Sequence, residues 1–153
     1  MTSDMQNKSV ESIDKIEFEL ISWKMSDSTH CSLSDEDIAL AIDEYKRFLT
    51  LKIENPSYNL APTSLMDEVW HFHILDTNRY ATDCDRLFGR FLHHRPSYGP
   101  FDSVEEQPNL SDSFDCMMGL YRGKFGHDPI SISASCNTDS DGSACGGLSC
   151  CDG

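Results

Sequence analysis

The feature that most constrains the fold is a long apolar stripe that repeats with the period of an α-helix between residues 34 and 55. Ser34, with Asp37 three residues later, forms the pattern of a capped helix start. Asn55-Pro56 marks the end of this helix, because the residue before a proline is pushed out of helical backbone. The apolar residues predict one continuous stripe that faces the core: Ile38, Ala41, Ile42, Tyr45, Phe48 and Leu49.

The same period predicts four more helices. Two short ones follow each other in the middle of the chain, Leu65–Leu75 and Asp76–Phe88, and Gly89 is a natural left-handed stop for the second. Another helix is predicted at Ser111–Phe125, with an apolar face made of Phe114, Met117 or Met118, Tyr121 and Phe125. The first helix is predicted at Ser9–Met25, and its core-facing residues are Ile13, Ile16, Leu20 and Trp23.

These elements predict an all-α fold, a compact bundle of about five helices that spans residues 9–130. Hydrophobic residues make up 39% of the chain, which is enough for a core. Residues 1–8 are predicted to be a flexible N-terminus. Residues 131–153 are rich in Cys, Gly and Ser, and they hold a single large apolar side chain after Ile132. Burial cannot offset an ordering entropy of roughly 1–2 kcal/mol per residue there, so this tail is predicted to be disordered.

The formal net charge of −14 bears on the kinds of partner that the protein can have. Binding to nucleic acid needs clustered lysines and arginines, and an acidic chain is also repelled by anionic membranes. The sequence contains no apolar run of membrane-spanning length. Its first residues lack a basic region followed by an apolar one, so we expect no signal peptide. We therefore expect a cytoplasmic protein that binds another protein, and we expect no binding to nucleic acid or membranes.

The tail carries four of the seven cysteines, namely Cys136, Cys145, Cys150 and Cys151. In a reducing compartment such a cluster is more typical of metal binding, redox chemistry or modification than of disulfides. Thiolates on a flexible segment could bind Cu(I) or Zn²⁺, or could exchange disulfides with a partner. The third interpretation is an acidic low-complexity tail whose cysteines have no assigned role.

The segment from Leu65 to His94 contains four of the six histidines, interleaved with large aromatic residues. His71 and His73 lie two residues apart, so on a strand they would share a face and could bind one ion together. On a helix they point in different directions and could not. The capping residues and the acidic first turn favour the helix.

Two polar stripes form on that helix. Asp67 or Glu68 precedes His71 by three or four positions and could orient its imidazole. A second stripe contains His73 and continues through Asp76, Tyr80 and Cys84, and the chain could bring His93 and His94 back toward it. Three or four such ligands would suit Zn or Fe, and the candidate metal ligands are His71, His73, Asp76, Cys84, His93 and His94.

Each of these residues also has a structural interpretation. Asp76 can be a helix N-cap, and Trp70 a packing residue. Tyr80 and Cys84 at helical spacing can belong to the core, and a buried His73 can fasten helices together through hydrogen bonds. The sequence contains no phosphate-binding glycine loop, no nucleophile elbow and no Cys-x-x-Cys, so nothing in it specifies a catalytic reaction.

The run Val69-Trp70-His71, with His73, Leu75 and Asp76, continues into Tyr80, Asp83-Cys84, Phe88-Gly89 and His93-His94. This run resembles the glycine-rich domain-containing protein-like family. The resemblance implies a helical domain, often followed by a glycine-rich tail, and no established reaction.

Three hypotheses for function follow. The leading one is a non-enzymatic binding or adaptor module whose His/Asp/Tyr/Cys cluster is a structural polar or metal site. The second is a metal-dependent enzyme that uses the same cluster. The third gives the main role to the tail, as a metal carrier or a target of modification that the helical domain presents.

Overall fold

The longest of the described helices lies at the centre of the fold. The computed structural model describes residues 12–96 and 110–132. Its helices are α1 (Phe18–Asp27), α2 (Asp35–Glu54), α3 (Ser64–Leu75), α4 (Thr77–Phe88) and α5 (Leu110–Phe125). Helix α2 packs against α1, α3 and α5, and α3 also contacts α1 and α4. The described ranges contain no strand, so the predicted all-α bundle is confirmed.

Local sequence signals set most of the helix ends. Ser34 caps α2 by accepting a hydrogen bond from the Asp37 amide, and Thr63 caps α3 through the amide of Met66. Asp76 ends α3 and caps α4, where its carboxylate accepts from the amide of Arg79. Gly89 stops α4 in left-handed backbone with φ of 66°, which is a conformation that glycine adopts without strain.

The predicted core stripe of α2 is confirmed. All six of its apolar residues are buried, and Tyr45 and Phe48 are completely inaccessible to solvent. Burial of each large side chain contributes roughly 1.5–3 kcal/mol, so this face provides much of the energy that holds the other helices. Met66, Val69 and Trp70 of α3 and Met117 and Tyr121 of α5 join the same core.

The prediction for the first helix is wrong in two respects. Instead of running continuously to Met25, the chain turns after Ile13 and begins α1 only at Phe18. The turn rotates the helix, so that Ile21 and Met25 face the core. Of the four residues assigned to the core-facing stripe, Ile13 and Ile16 are buried, whereas Leu20 is 47% exposed and Trp23 65% exposed. Residues 9–11 of the predicted helix lie outside the described residues.

Helix α5 is fastened to α2 by a buried carboxylate. Glu44 is fully inaccessible, and both of its oxygens accept from the Tyr121 hydroxyl at 2.9 Å. Arg47 forms an ion pair with Glu44 and also donates to the Tyr121 oxygen at 3.1 Å. On the same helix, the predicted apolar residue Phe114 is 37% exposed, because Met117 and Tyr121 occupy the face against α2.

The predictions for residues 1–8 and for the cysteine-bearing tail fall outside the described residues. Within residues 12–96 and 110–132, none of the helices combines the length and the apolar character needed to cross a bilayer.

Candidate functional site

Helix α3 places His71 and His73 in separate environments, as a helix must for residues two positions apart. The alternative in which a strand would put both imidazoles on one face is therefore wrong. His73 is 4% exposed, whereas the side chain of His71 is 43% exposed. The two histidines must be considered as members of two different clusters.

His73 lies at the centre of a buried network that joins three helices. Its Nδ1 is 3.0 Å from the Tyr45 hydroxyl of α2, and its Nε2 is 3.0 Å from a carboxylate oxygen of Asp83 on α4. A carboxylate only accepts, so Nε2 carries the proton and Nδ1 accepts from Tyr45. Arg86 forms an ion pair with the other oxygen of Asp83.

Burial lowers the pKa of His73, and the hydrogen bond to Asp83 opposes that effect. Both ring nitrogens already have protein partners, so this imidazole has no lone pair left for a metal ion. Burial also raises the pKa of Tyr45, which keeps its hydroxyl protonated as the donor. The arrangement fits the structural interpretation, in which His73 fastens α2, α3 and α4 together.

A second set of buried contacts holds the chain after α4 against α3. The Trp70 indole donates to the Tyr80 oxygen at 2.9 Å, and the Tyr80 hydroxyl donates to the backbone carbonyl of Leu92 at 2.6 Å. Cys84 is 1% exposed and lies beside Tyr80, and burial raises the pKa of its thiol. A buried thiol of this kind is unreactive, and its position is that of a core residue.

This return of the chain brings His94 to His71. Their Nε2 atoms are 2.9 Å apart, and the His94 ring lies over Trp70 with a centroid separation of 4.3 Å. Asp67, one helical turn before His71, directs one carboxylate oxygen to 3.6 Å from His71 Nε2 and the other to 3.1 Å from His94 Nε2. The three side chains form the only group of three or more metal-ligand residues within the described ranges.

One carboxylate oxygen of this cluster lacks a hydrogen-bond partner. Asp67 Oδ1 is inaccessible to solvent and accepts no hydrogen bond, although it is close to His94 Nε2. A buried acceptor without a partner costs about 1–3 kcal/mol. The cluster thus brings together three atoms with lone pairs, and a single cation could bind all three. We call Asp67, His71 and His94 the His–His–Asp cluster.

The remaining candidate ligands lie elsewhere. Asp76 is an exposed helix cap that also pairs with Arg79, and His93 is exposed with its ring against Phe91. From the sequence, Asp67 was assigned only a role in orienting His71. The spacing of four residues places both side chains on one face of the helix, and this spacing could have indicated Asp67 as a ligand as well. The tail cysteines lie outside the described residues, so their metal-binding role stays a prediction.

Lys52 lies next to the cluster on α2, with its ammonium 5.2 Å from the Phe48 ring centroid and 5.7 Å from that of Trp70. Burial lowers the pKa of Lys52 to about 8, and the charge of Arg90 acts in the same direction. In the unfolded chain the pKa is about 10.4, so between these values the unfolded state binds more protons. Below about pH 8 the buried lysine is charged, and the full cost of burying that charge lowers the free energy of unfolding. This cost decreases as the pH rises and the lysine loses its proton.

We therefore expect the free energy of unfolding of the wild type, relative to Lys52→Met, to increase by about 1–2 kcal/mol between pH 8 and pH 9.5. Urea denaturation of both proteins across this range measures the difference. Lys46→Met, which removes a lysine of the same helix whose side chain is 38% exposed, serves as the control. If the free energies of unfolding of wild type and Lys52→Met differed by the same amount at every pH in this range, that result would contradict the burial of the ammonium group.

Comparison with known proteins identifies one family. The UCP032817-like family model matches residues 8–115, which cover helices α1–α4 and the complete His–His–Asp cluster. No curated protein and no solved structure matches the chain. The match does not test the resemblance to the glycine-rich domain-containing proteins, which stays a prediction. Because the match spans more than half of the sequence, the chain belongs to the UCP032817-like family.

Proposed function

We propose that the protein is a helical binding module that holds a divalent transition metal, Zn²⁺ or Fe²⁺, in its His–His–Asp cluster. The observation that carries this proposal is the convergence of three donor side chains from two separate segments, with one carboxylate oxygen buried and unpaired. Two imidazoles and one carboxylate are a ligand set found for both ions in proteins.

The distances between the donor atoms support the proposal. Ligand atoms about 2.0–2.1 Å from one ion are about 2.9–3.4 Å apart for bond angles between about 90° and 109°. The separations in the cluster are 2.9 Å between the two Nε2 atoms, 3.1 Å from His94 to Asp67 and 3.6 Å from His71 to Asp67. Small rotations of the side chains would therefore suffice for all three to reach one ion.

The surroundings support a site that holds its ligands in place. His71 and Asp67 are one turn apart on the rigid helix α3, and His94 is held by its contact with Trp70. The metal would join the segment after α4 to α3, where Tyr80 of α4 already hydrogen-bonds to both Trp70 of α3 and the carbonyl of Leu92. Such a site would stabilise the fold and fix the shape of this surface for a partner.

A second candidate function is favoured by the exposure of His71. Its side chain is 43% exposed, so the face of the cluster that it borders is open to solvent. In catalytic zinc sites, three protein side chains bind the ion and the fourth coordination position is open to water. The ion lowers the pKa of the water bound there. Metal-dependent hydrolysis is therefore the enzyme class that follows from the cluster if the ion binds.

The test is Zn²⁺ titration of the full-length protein in which the four tail cysteines are changed to serine. This background removes the thiolates that could bind the ion elsewhere. We expect calorimetry and elemental analysis to show one bound equivalent of Zn²⁺. Co²⁺ added in place of Zn²⁺ should give the visible absorption bands of an ion that is bound by protein ligands. His71→Ala and His94→Ala should each weaken binding at least 100-fold, and Asp67→Asn at least tenfold.

His93→Ala is the matched control, because it removes an adjacent exposed histidine that is not in the cluster. It should leave affinity and stoichiometry unchanged, and circular dichroism should show that all variants remain folded. Binding weaker than about 0.1 mM, or binding that survives His71→Ala, would overturn the proposal. Metal bound only when the tail cysteines are present would instead support the tail hypothesis.

A further inference from the structure

A groove lies between the first helix and the pair formed by α3 and α4, on a surface that the His–His–Asp cluster does not use. Its volume is about 870 Å³. Helix α1 forms one wall, and the C-terminal end of α3 and the exposed side of α4 form the other. The buried, hydrogen-bonded pair His73 and Asp83 is part of its lining.

The groove contains apolar side chains that the fold does not bury. Leu20 and Trp23 project from α1 and are 47% and 65% exposed. Leu75, at the end of α3, is 65% exposed, and Phe72 one turn earlier is partly buried beside it. Each wall therefore offers an apolar pair at helical spacing. An exposed apolar cluster of this kind, which includes a tryptophan, is typical of protein-binding sites.

The charges around the groove differ from those of the whole chain. Four of the twelve lysines and arginines line it, although the chain has a net charge of −14. Arg79 pairs with Glu17 and Asp76, and Arg86 is paired within α4. Lys15 and Lys24 form no ion pair with any residue in the described ranges, so the groove has two cations that a ligand could neutralise.

We infer that this groove binds an amphipathic helix of a partner protein, with apolar residues on the buried side and acidic residues toward Lys15 and Lys24. The apolar pairs at helical spacing on both walls suit an inserted helix with anchors three and four residues apart. The described residues have no strand, hence no sheet edge to which an extended peptide could add. The high exposure of Trp23 and Leu75 distinguishes the groove from an enclosed pocket for a small molecule.

The experiment is a selection from a displayed library of random peptides of roughly 16 residues, about four turns of helix, with the full-length protein as bait. We expect enriched peptides to be acidic, with apolar residues at three- and four-residue intervals. Synthetic copies should bind with dissociation constants of about 1–100 µM and should shift tryptophan emission to the blue. Trp23 is the exposed one of the two tryptophans, so the shift reports on the groove.

The matched variants locate the binding site. Trp23→Ser and the double variant Lys15→Glu/Lys24→Glu should each weaken binding at least tenfold. Tyr58→Ser, which removes another exposed aromatic residue outside the groove, should have no effect. Replacing the glutamates of the peptide with lysines should also abolish binding, and added salt should weaken the native peptide.

The inference is overturned if no peptide is enriched, if basic peptides are enriched, or if Trp23→Ser leaves binding intact. It is also overturned if acrylamide fails to quench Trp23 in the free protein, because the groove would then already be covered. If Trp23 becomes accessible to acrylamide on dilution, the groove is covered by a second copy of the chain. If Trp23 stays inaccessible on dilution, the groove is covered by another part of the same chain. Repeating the binding measurement with and without Zn²⁺ separates this inference from the metal proposal.

Discussion

Replacing His73 with alanine is expected to lower the free energy of unfolding by about 3–4 kcal/mol. The loss has two causes, a cavity and buried polar groups that are left without partners, and the second contributes more. The imidazole connects the hydroxyl of Tyr45, which is completely buried, with the carboxylate of Asp83. Its removal deprives both of a hydrogen bond and leaves a cavity between α2, α3 and α4. Asp83 would retain only its ion pair with Arg86.

Urea denaturation followed by circular dichroism measures this loss. His93→Ala, at an exposed position in the segment after α4, should change stability by less than about 0.5 kcal/mol. Tyr45→Phe and the double variant with His73→Ala complete a mutant cycle, and we expect a coupling energy of about 1 kcal/mol or more. A loss below about 1 kcal/mol for His73→Ala would contradict the view that this residue fastens the helices.

The same variant also separates the two histidine clusters. His73 contacts neither His94 nor Asp67, so His73→Ala should leave the number of bound Zn²⁺ ions unchanged as long as the protein is folded. In contrast, His71→Ala should remove the metal with little effect on the stability of the metal-free protein, because its side chain is 43% exposed. Together these two results would assign one histidine of α3 to stability and the other to metal binding.

The sequence was sufficient for the parts of the fold that local interactions decide. The stripe of α2, the caps Ser34 and Asp76 and the stop at Gly89 depend on residues within one or two turns, and all of these agree with the structure. The face of α1 could not be predicted in the same way. Its rotation results from a turn after Ile13 that no proline or glycine marks, so the continuous period placed Trp23 in the core.

The composition of the candidate site depended on contacts between distant residues. His94 approaches His71 because Tyr80 binds the carbonyl of Leu92 and directs the chain back over α3, and spacing along the sequence does not contain that information. From the sequence, Asp67 was explained as an acidic residue in the first turn of a helix that could orient His71, and neither feature indicated that it also approaches His94. The partners of His73 are Tyr45, 28 residues earlier, and Asp83 on the next helix.

The other large effect is expected at the carboxylate that joins α5 to α2. Arg47→Met should lower the free energy of unfolding by about 3–4 kcal/mol, because it leaves the fully buried charge of Glu44 with only the Tyr121 hydroxyl as a partner. Removing all the polar groups together should cost much less. The triple variant Glu44→Met/Arg47→Met/Tyr121→Phe is expected to remain within about 1–2 kcal/mol of the wild type, since apolar groups replace an ion pair whose carboxylate is fully buried.

Urea denaturation of the single and triple variants measures both values, and Arg122→Met is the matched control. Arg122 forms its ion pair with Asp128 on the surface, with both side chains more than half exposed, so its loss should leave stability nearly unchanged. If Arg47→Met were no more harmful than Arg122→Met, Glu44 would have to be reached by water in solution. A triple variant as unstable as Arg47→Met would show that the shape of these side chains, and not the unpaired charge, controls how α5 packs on α2.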